Sequence, residues 1–263
     1  MDLGLKGKIA LVAASSKGLG RASAEAIAQE GARVTICARN EATLLTARDE
    51  IAAATGAEIL AVVTDMTRAE NIENVVQQTV DHFGGLHILV CNAGGPPAGY
   101  FPEFDDAQWQ AAFDLSMMSA VRLIRAALPH MQRAKWGRIV NITSLSVKEP
   151  LDNLILSNSI RAAVHGLAKT LARQVGRDGI TINNVMPGYT QTDRVNQLVA
   201  DMAKQEHKTE ADIMADISQP IPLGRVGQPE ELGAMVAFLA SEKASYITGT
   251  SIPIDGGVIK AAF

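Results

Sequence analysis

The feature that most constrains this 263-residue chain is a rhythm. Seven short apolar runs, at 9–12, 33–38, 58–63, 86–91, 138–142, 180–186 and 250–254, alternate with segments of helical length and amphipathic spacing. Strands alternating with helices predict a parallel sheet covered by helices on both faces, a doubly wound α/β architecture. The strands are apolar almost throughout, as strands buried on both sides must be. The expected helices span 21–30, a stretch from the second strand through about 54, 70–83, 109–133, 159–175 and 229–240, the last opening on a proline. No repeat, low-complexity tract or interdomain linker interrupts the rhythm, so 1–263 reads as one domain. One stretch, 191–220, is polar with helical portions, and it reads as a lid-like insertion over the end of the sheet where ligands bind.

Composition narrows the function classes. Hydrophobic residues make up 47% and charged residues 20%, enough apolar material for a large core. The net charge of −4 and the lack of a basic run argue against a nucleic-acid partner. No stretch approaches the ~20 apolar residues of a membrane helix. Lys6 and Lys8 precede an apolar run too short for a signal peptide. Cys37 and Cys91 fall inside strands and read as buried thiols, which fits a reducing, cytoplasmic setting. The histidines and cysteines form no metal-spaced set.

The first strand runs into AASSKGLG (13–20) and then a helix. Strand, glycine-bearing turn and helix place unpaired backbone N–H groups where a phosphate can sit. Glycine is needed because a side chain would block the backbone's approach to a pyrophosphate.

These residues and five further motifs line up with one family. They are Asp65, CNAGG (91–95), GRIVNITS (137–144), NNVMPGYTQT (183–192) and YITGTSIPIDGG (246–257). Over roughly 5–257 the chain resembles a short-chain dehydrogenase/reductase with a Rossmann-type fold, in the 3-oxoacyl-(acyl carrier protein) reductase branch. The resemblance implies a nicotinamide dinucleotide cofactor, a small carbonyl or alcohol substrate, and a homotetramer. It implies cofactor contacts at Ser15, Lys17, Gly18, Leu19, Gly20, Arg39, Asp65, Met66, Asn92, Ala93, Gly94, Arg161, Pro187, Gly188 and Thr190. Asp65 matches an acid that bonds the adenine amino group, and Asn92 an asparagine that holds the fourth strand beside the cofactor. Pro187, Gly188 and Thr190 match a segment that contacts the nicotinamide amide. The family's first glycine is Ala14 here. An acid ending the second strand would favour NAD; this chain has Arg39 there and Lys17 in the glycine turn, and two cations favour the 2′-phosphate of NADP (NADPH).

The catalytic positions depart from the family. Its reaction uses a tyrosine and a lysine four residues apart on a helix, a serine thirteen residues before the tyrosine, and an asparagine on the preceding long helix. Here Ser144 matches the serine, but Ser157 stands for the tyrosine, Arg161 for the lysine and Ser116 for the asparagine. A serine hydroxyl is shorter and far less acidic than a phenol, and arginine stays protonated. Lys148, Tyr189 and Tyr100 are the other candidate proton donors, and His165, one turn beyond Arg161, reads as a packing residue. Two expectations follow: a carbonyl reductase with an altered proton donor, or a nucleotide-binding sensor or partner subunit without turnover.

Overall fold

The computed structural model describes residues 2–262, with Arg194 described by its backbone alone. Its sheet comprises β1 (Ile9–Val12), β2 (Arg33–Ala38), β3 (Ile59–Val63), β4 (Ile88–Cys91), β5 (Gly137–Ile142), β6 (Ile180–Pro187) and β7 (Ser251–Ile254). They lie in the order β3-β2-β1-β4-β5-β6-β7 and every pairing is parallel. The chain winds outward from β1 to β3, then returns beside β1 to lay down β4. The crevice between the carboxyl ends of β1 and β4 is therefore the topological switch point, where folds of this kind bind ligands.

The helices are α1 (Gly18–Gln29), α2 (Glu41–Thr55), α3 (Ala69–Phe83), α4 (Asp106–Phe113), α5 (Ser119–Ala134), α6 (Ile155–Val175), α7 (Asp193–Glu206), α8 (Glu210–Ser218) and α9 (Pro229–Leu239). Strand side chains alternate between two cores. Ala10 and Val12 of β1 pack with Ile27 of α1 and Val236 of α9 on one face. Leu11 packs with Val75 of α3, Leu123 of α5 and Ile139 of β5 on the other.

Two predicted helices are corrected. The expected single helix 109–133 is α4 and α5 joined by a π-helical turn, Asp114–Met118, which carries Ser116. The helix expected from 159 begins at Ile155, so Ser157 lies in its first turn. The segment 191–220 holds α7 and α8, which build a small core of their own from Val199, Ala203, Ile213 and Ile217.

Candidate active site

The site starts at the glycine turn. Helix α1 begins at Gly18, so Gly18, Leu19 and Gly20 form its first turn, and no side chain caps it. Its amides are left to point beyond the end of β1, where an anion would satisfy them. A Cβ at Gly20 would lie 2.3 Å from the Ala14 carbonyl oxygen, so no larger residue fits the turn as built. Asn92, just past β4, donates from Nδ2 to that same oxygen at 3.2 Å and ties the two sides of the switch point together. Ala14 itself adopts φ +48°, a left-handed conformation that an L side chain strains. Ser15 turns inward: its hydroxyl donates to Val12 O at 2.7 Å and accepts the Cys37 amide at 3.0 Å, bracing β1 against β2. Ser15 and Met66 therefore offer only their backbone to a ligand, since the Met66 side chain is packed in the core.

The charged residues gather beside the turn. Asp65 accepts the amide and hydroxyl of Thr67 at 2.9 and 2.8 Å. The Thr67 amide holds its carboxyl below the usual carboxylate range, with the Thr67 hydroxyl, Arg39 and Arg68 acting in the same direction. Lys17 Nζ pairs with Asp193 Oδ2 at 3.1 Å, linking the glycine turn to the start of α7. Both side chains are well exposed, so the pair adds little to stability.

A cavity of about 270 Å³ opens beyond the carboxyl ends of the strands, and Leu19 of the glycine turn forms part of its wall. Ser144, Ser157 and Arg161 all line it, as do Pro187, Gly188 and Thr190. Leu154, Ser157 and Arg161 follow the three- and four-residue spacing that puts side chains on one helix face, so one side of α6 supplies a whole wall. Ser144 Oγ accepts the Ser146 amide at 3.1 Å and caps the short turn Leu145–Val147. In that bond the hydroxyl serves only as an acceptor. Arg161 donates from Nη1 to the carbonyls of Ile142 and Thr143, at 3.2 and 2.9 Å, which roots the guanidinium at the end of β5. Among the described residues no carboxylate lines the cavity, and Arg161 is the one charged side chain that does.

Ser116 lies apart from Ser144 and Ser157. It faces a second, small cavity of about 20 Å³, shared with Asn92, Ala93, Asn141 and Arg161. Ser116 Oγ and Asn141 Oδ1 are buried there with no hydrogen-bond partner among the described residues. Arg161 lines both cavities and so stands between them.

Of the alternative donors, Tyr189 lines the larger cavity, and burial pushes its phenol above the ordinary range. Lys148 and Tyr100 line neither cavity, and both are exposed. The loop at 94–104 contributes Gly95 and Ala98 to the wall, while Phe101 stays outside and stacks edge-on against Trp109. The lining residues that the sequence did not single out are Leu145, Leu151, Asn153 and Leu154, whereas Thr192, Val195 and Leu198 belong to stretches it placed at the ligand end of the sheet. Only the helical spacing of Leu154 with Ser157 carried a signal, and it was hidden because α6 begins four residues early. Among the described residues no cluster could hold a metal ion, and no helix is long and apolar enough to cross a membrane.

A glycine turn and a hydroxyl-lined cavity at the switch point of an all-parallel sheet define a doubly wound, ligand-binding α/β protein. Residues 13–259 match the family model described as enoyl-(acyl carrier protein) reductase. The chain is 34% identical over 258 residues to the 3-oxoacyl-(acyl-carrier-protein) reductase FabG of Vibrio cholerae, covering 97% of this chain and 99% of that protein. Its fold is similar to that of L-sorbose reductase from Gluconobacter frateurii, solved with NADPH and L-sorbose, at TM-score 0.96 and 33% identity over 99% of this chain and 100% of the other. It is also similar to YwfH, an NADPH-dependent reductase involved in bacilysin biosynthesis, at TM-score 0.92 and 30% identity over 97% and 99%. The chain belongs to the short-chain dehydrogenase/reductase family of oxidoreductases.

Proposed function

We propose that this protein is an NADPH-dependent reductase of a small, largely apolar carbonyl compound, a ketone or 3-oxoacyl derivative, that works without the family's tyrosine–lysine pair. The observation that carries the reading is the single cavity in which Ser144, Ser157 and Arg161 meet apolar walls, with the glycine turn at its edge. The related reductases solved with NADPH support the choice of cofactor.

The residues present fit such a cofactor. The bare Gly20 and the uncapped first turn of α1 suit a pyrophosphate, and Lys17 and Arg39 suit a 2′-phosphate. Gly94 has open space where a side chain would stand. Asp65, Asn92 and Ala93 would hold the adenine and ribose side, and Pro187, Gly188 and Thr190 the nicotinamide side. The cofactor, when bound, supplies the hydride. Arg161 keeps a fixed positive charge at the cavity floor, where negative charge on a substrate oxygen would be stabilised. The hydroxyl hydrogen of Ser144 is available to that oxygen. With a serine at 157, the proton reaches the substrate through the hydroxyls of Ser144, Ser157 or Tyr189 or through water. That route is slower than a tuned phenol by about 10²–10⁴-fold.

The second reading, a nucleotide-binding sensor or partner subunit without turnover, is favoured by the same replacements at 157 and 161. The two separate in one assay. Purified protein is mixed with NADPH and a panel of ketones that includes 3-oxoacyl thioesters, and nicotinamide absorbance is followed. Ketone-dependent loss of absorbance is the expected result; saturable NADPH binding without loss on any ketone selects the second reading. We also read 191–220 as a lid whose Val195 and Leu198 close over substrate, and the open groove beside Trp109, Phe113 and Ile160 as a subunit contact of a homotetramer.

A further inference from the structure

A buried polar chain runs behind the cavity floor. Asn141 Nδ2 donates to Asn184 Oδ1 at 2.9 Å, and Asn184 Nδ2 donates to Ser251 Oγ at 3.0 Å. Ser251 Oγ lies 3.0 Å from His165 Nδ1, and His165 Nε2 lies 2.9 Å from Thr143 Oγ1. The Thr143 hydroxyl donates to Val185 O at 3.0 Å. The chain links β5, β6, β7 and α6 through side chains, in addition to the backbone ladders.

The direction of each hydrogen can be assigned. Because the Thr143 hydrogen goes to Val185 O, the imidazole must donate to Thr143 Oγ1. His165 is then the Nε2–H tautomer, and its Nδ1 is an acceptor facing the Ser251 hydroxyl. Ser251 gives its hydrogen to Nδ1 and accepts from Asn184. Every bond points the same way, and the imidazole can both donate and accept only as the neutral ring, since the protonated ring has no acceptor. Burial, aided by Lys148, pulls its pKa down to about 4, which agrees with a neutral ring.

Thr143 is the residue before Ser144, and its carbonyl is one of the two that hold Arg161 Nη1. We propose that His165 is a positioning residue: through Thr143 it locks the end of β5 to β7 and so sets where Ser144 and Arg161 sit in the cavity. This rests on the reading that Ser144 and Arg161 serve a reductase site. His165 touches neither cavity and acts only through Thr143.

The test compares wild type with His165→Leu, which keeps bulk and loses both polar atoms, and His165→Gln, which keeps an N–H near the Nε2 position. Each full-length protein is measured by hydrogen exchange and by ketone reduction. His165→Leu is expected to raise exchange at Thr143 and Ser146 by about tenfold or more while the amides of β1 and β2 stay unchanged. It should also lower kcat by about 10–100-fold with KM little changed, as misplacement of catalytic groups does. His165→Gln should recover most of both. Nitrogen-15 imidazole spectra of wild type should show the Nε2–H tautomer at neutral pH. A local exchange change in a protein that reduces no ketone removes the reductase reading and keeps the positioning role. Unchanged exchange at Thr143 and Ser146 in His165→Leu, failure of glutamine to restore it, or an Nδ1–H tautomer overturns the proposal whatever the turnover.

Discussion

Replacing Ala14 with glycine tests the glycine turn by adding conformational freedom where the chain is strained. Ala14 sits at φ +48°, and a left-handed alanine costs roughly 1–2 kcal/mol. Glycine removes that cost but brings about 0.5–1 kcal/mol of extra chain entropy in the unfolded state. The Ala14 methyl is only partly buried, so little packing is lost with it. The balance favours Ala14→Gly by about 0.5–1 kcal/mol. At roughly 2–4 °C per kcal/mol for a chain of this size, the melting temperature rises by about 1–4 °C. Differential scanning calorimetry without ligand reads this directly. The mirror variant, Gly20→Ala, puts a methyl against the Ala14 carbonyl at 2.3 Å and should cost about 1–3 kcal/mol through overpacking. A lower melting temperature for Ala14→Gly would refute the reasoning, because it would mean the turn relies on the alanine side chain.

The remaining predictions concern charge, protonation and the altered site. Lys17→Ala and Arg39→Ala should each weaken NADPH binding by about tenfold or more and leave NADH binding nearly unchanged, since only NADPH carries the 2′-phosphate; equal losses for both would remove the two cations from that role. Asp193→Asn releases Lys17 from its ion pair and should tighten NADPH binding severalfold, with salt weakening the difference. His165 titrates at about 4 in the folded chain against an ordinary 6.5, so the unfolded chain takes up the proton first. Stability is then full above about pH 6.5 and falls as pH drops through 4, by about 1–2 kcal/mol once partial exposure is discounted; in His165→Gln this part of the acid slope should vanish. Ser157→Tyr combined with Arg161→Lys should create or raise ketone reduction by about 10²-fold or more, and no gain would show that the cavity has diverged beyond those two positions.

Much of this architecture could be read from the chain because parallel strands buried on both faces leave an unmistakable apolar rhythm, and all seven strands begin and end within two residues of expectation. The glycine turn was legible for a local reason: Gly18 has a positive φ and Gly20 lies close against the Ala14 carbonyl, both within the turn itself. What could not be read depends on chain closure. Thr143 and Ser251 meet across His165 only after β7 docks beside β6, and Lys17 reaches Asp193 across 176 positions of sequence. The π-helical turn at Ser116 leaves no period in the sequence, because one widened turn does not move the apolar face of the flanking helices enough to be seen. The early start of α6 was missed because no capping side chain marks it.

The account stands on whether this chain grips a nicotinamide dinucleotide at the switch point. A fluorescence titration of the purified protein with NADPH and with NADH measures that with no assumption about substrate. The account predicts saturable binding of NADPH, at least about tenfold tighter than NADH and weakened in Lys17→Ala. No saturable binding of either dinucleotide would contradict it.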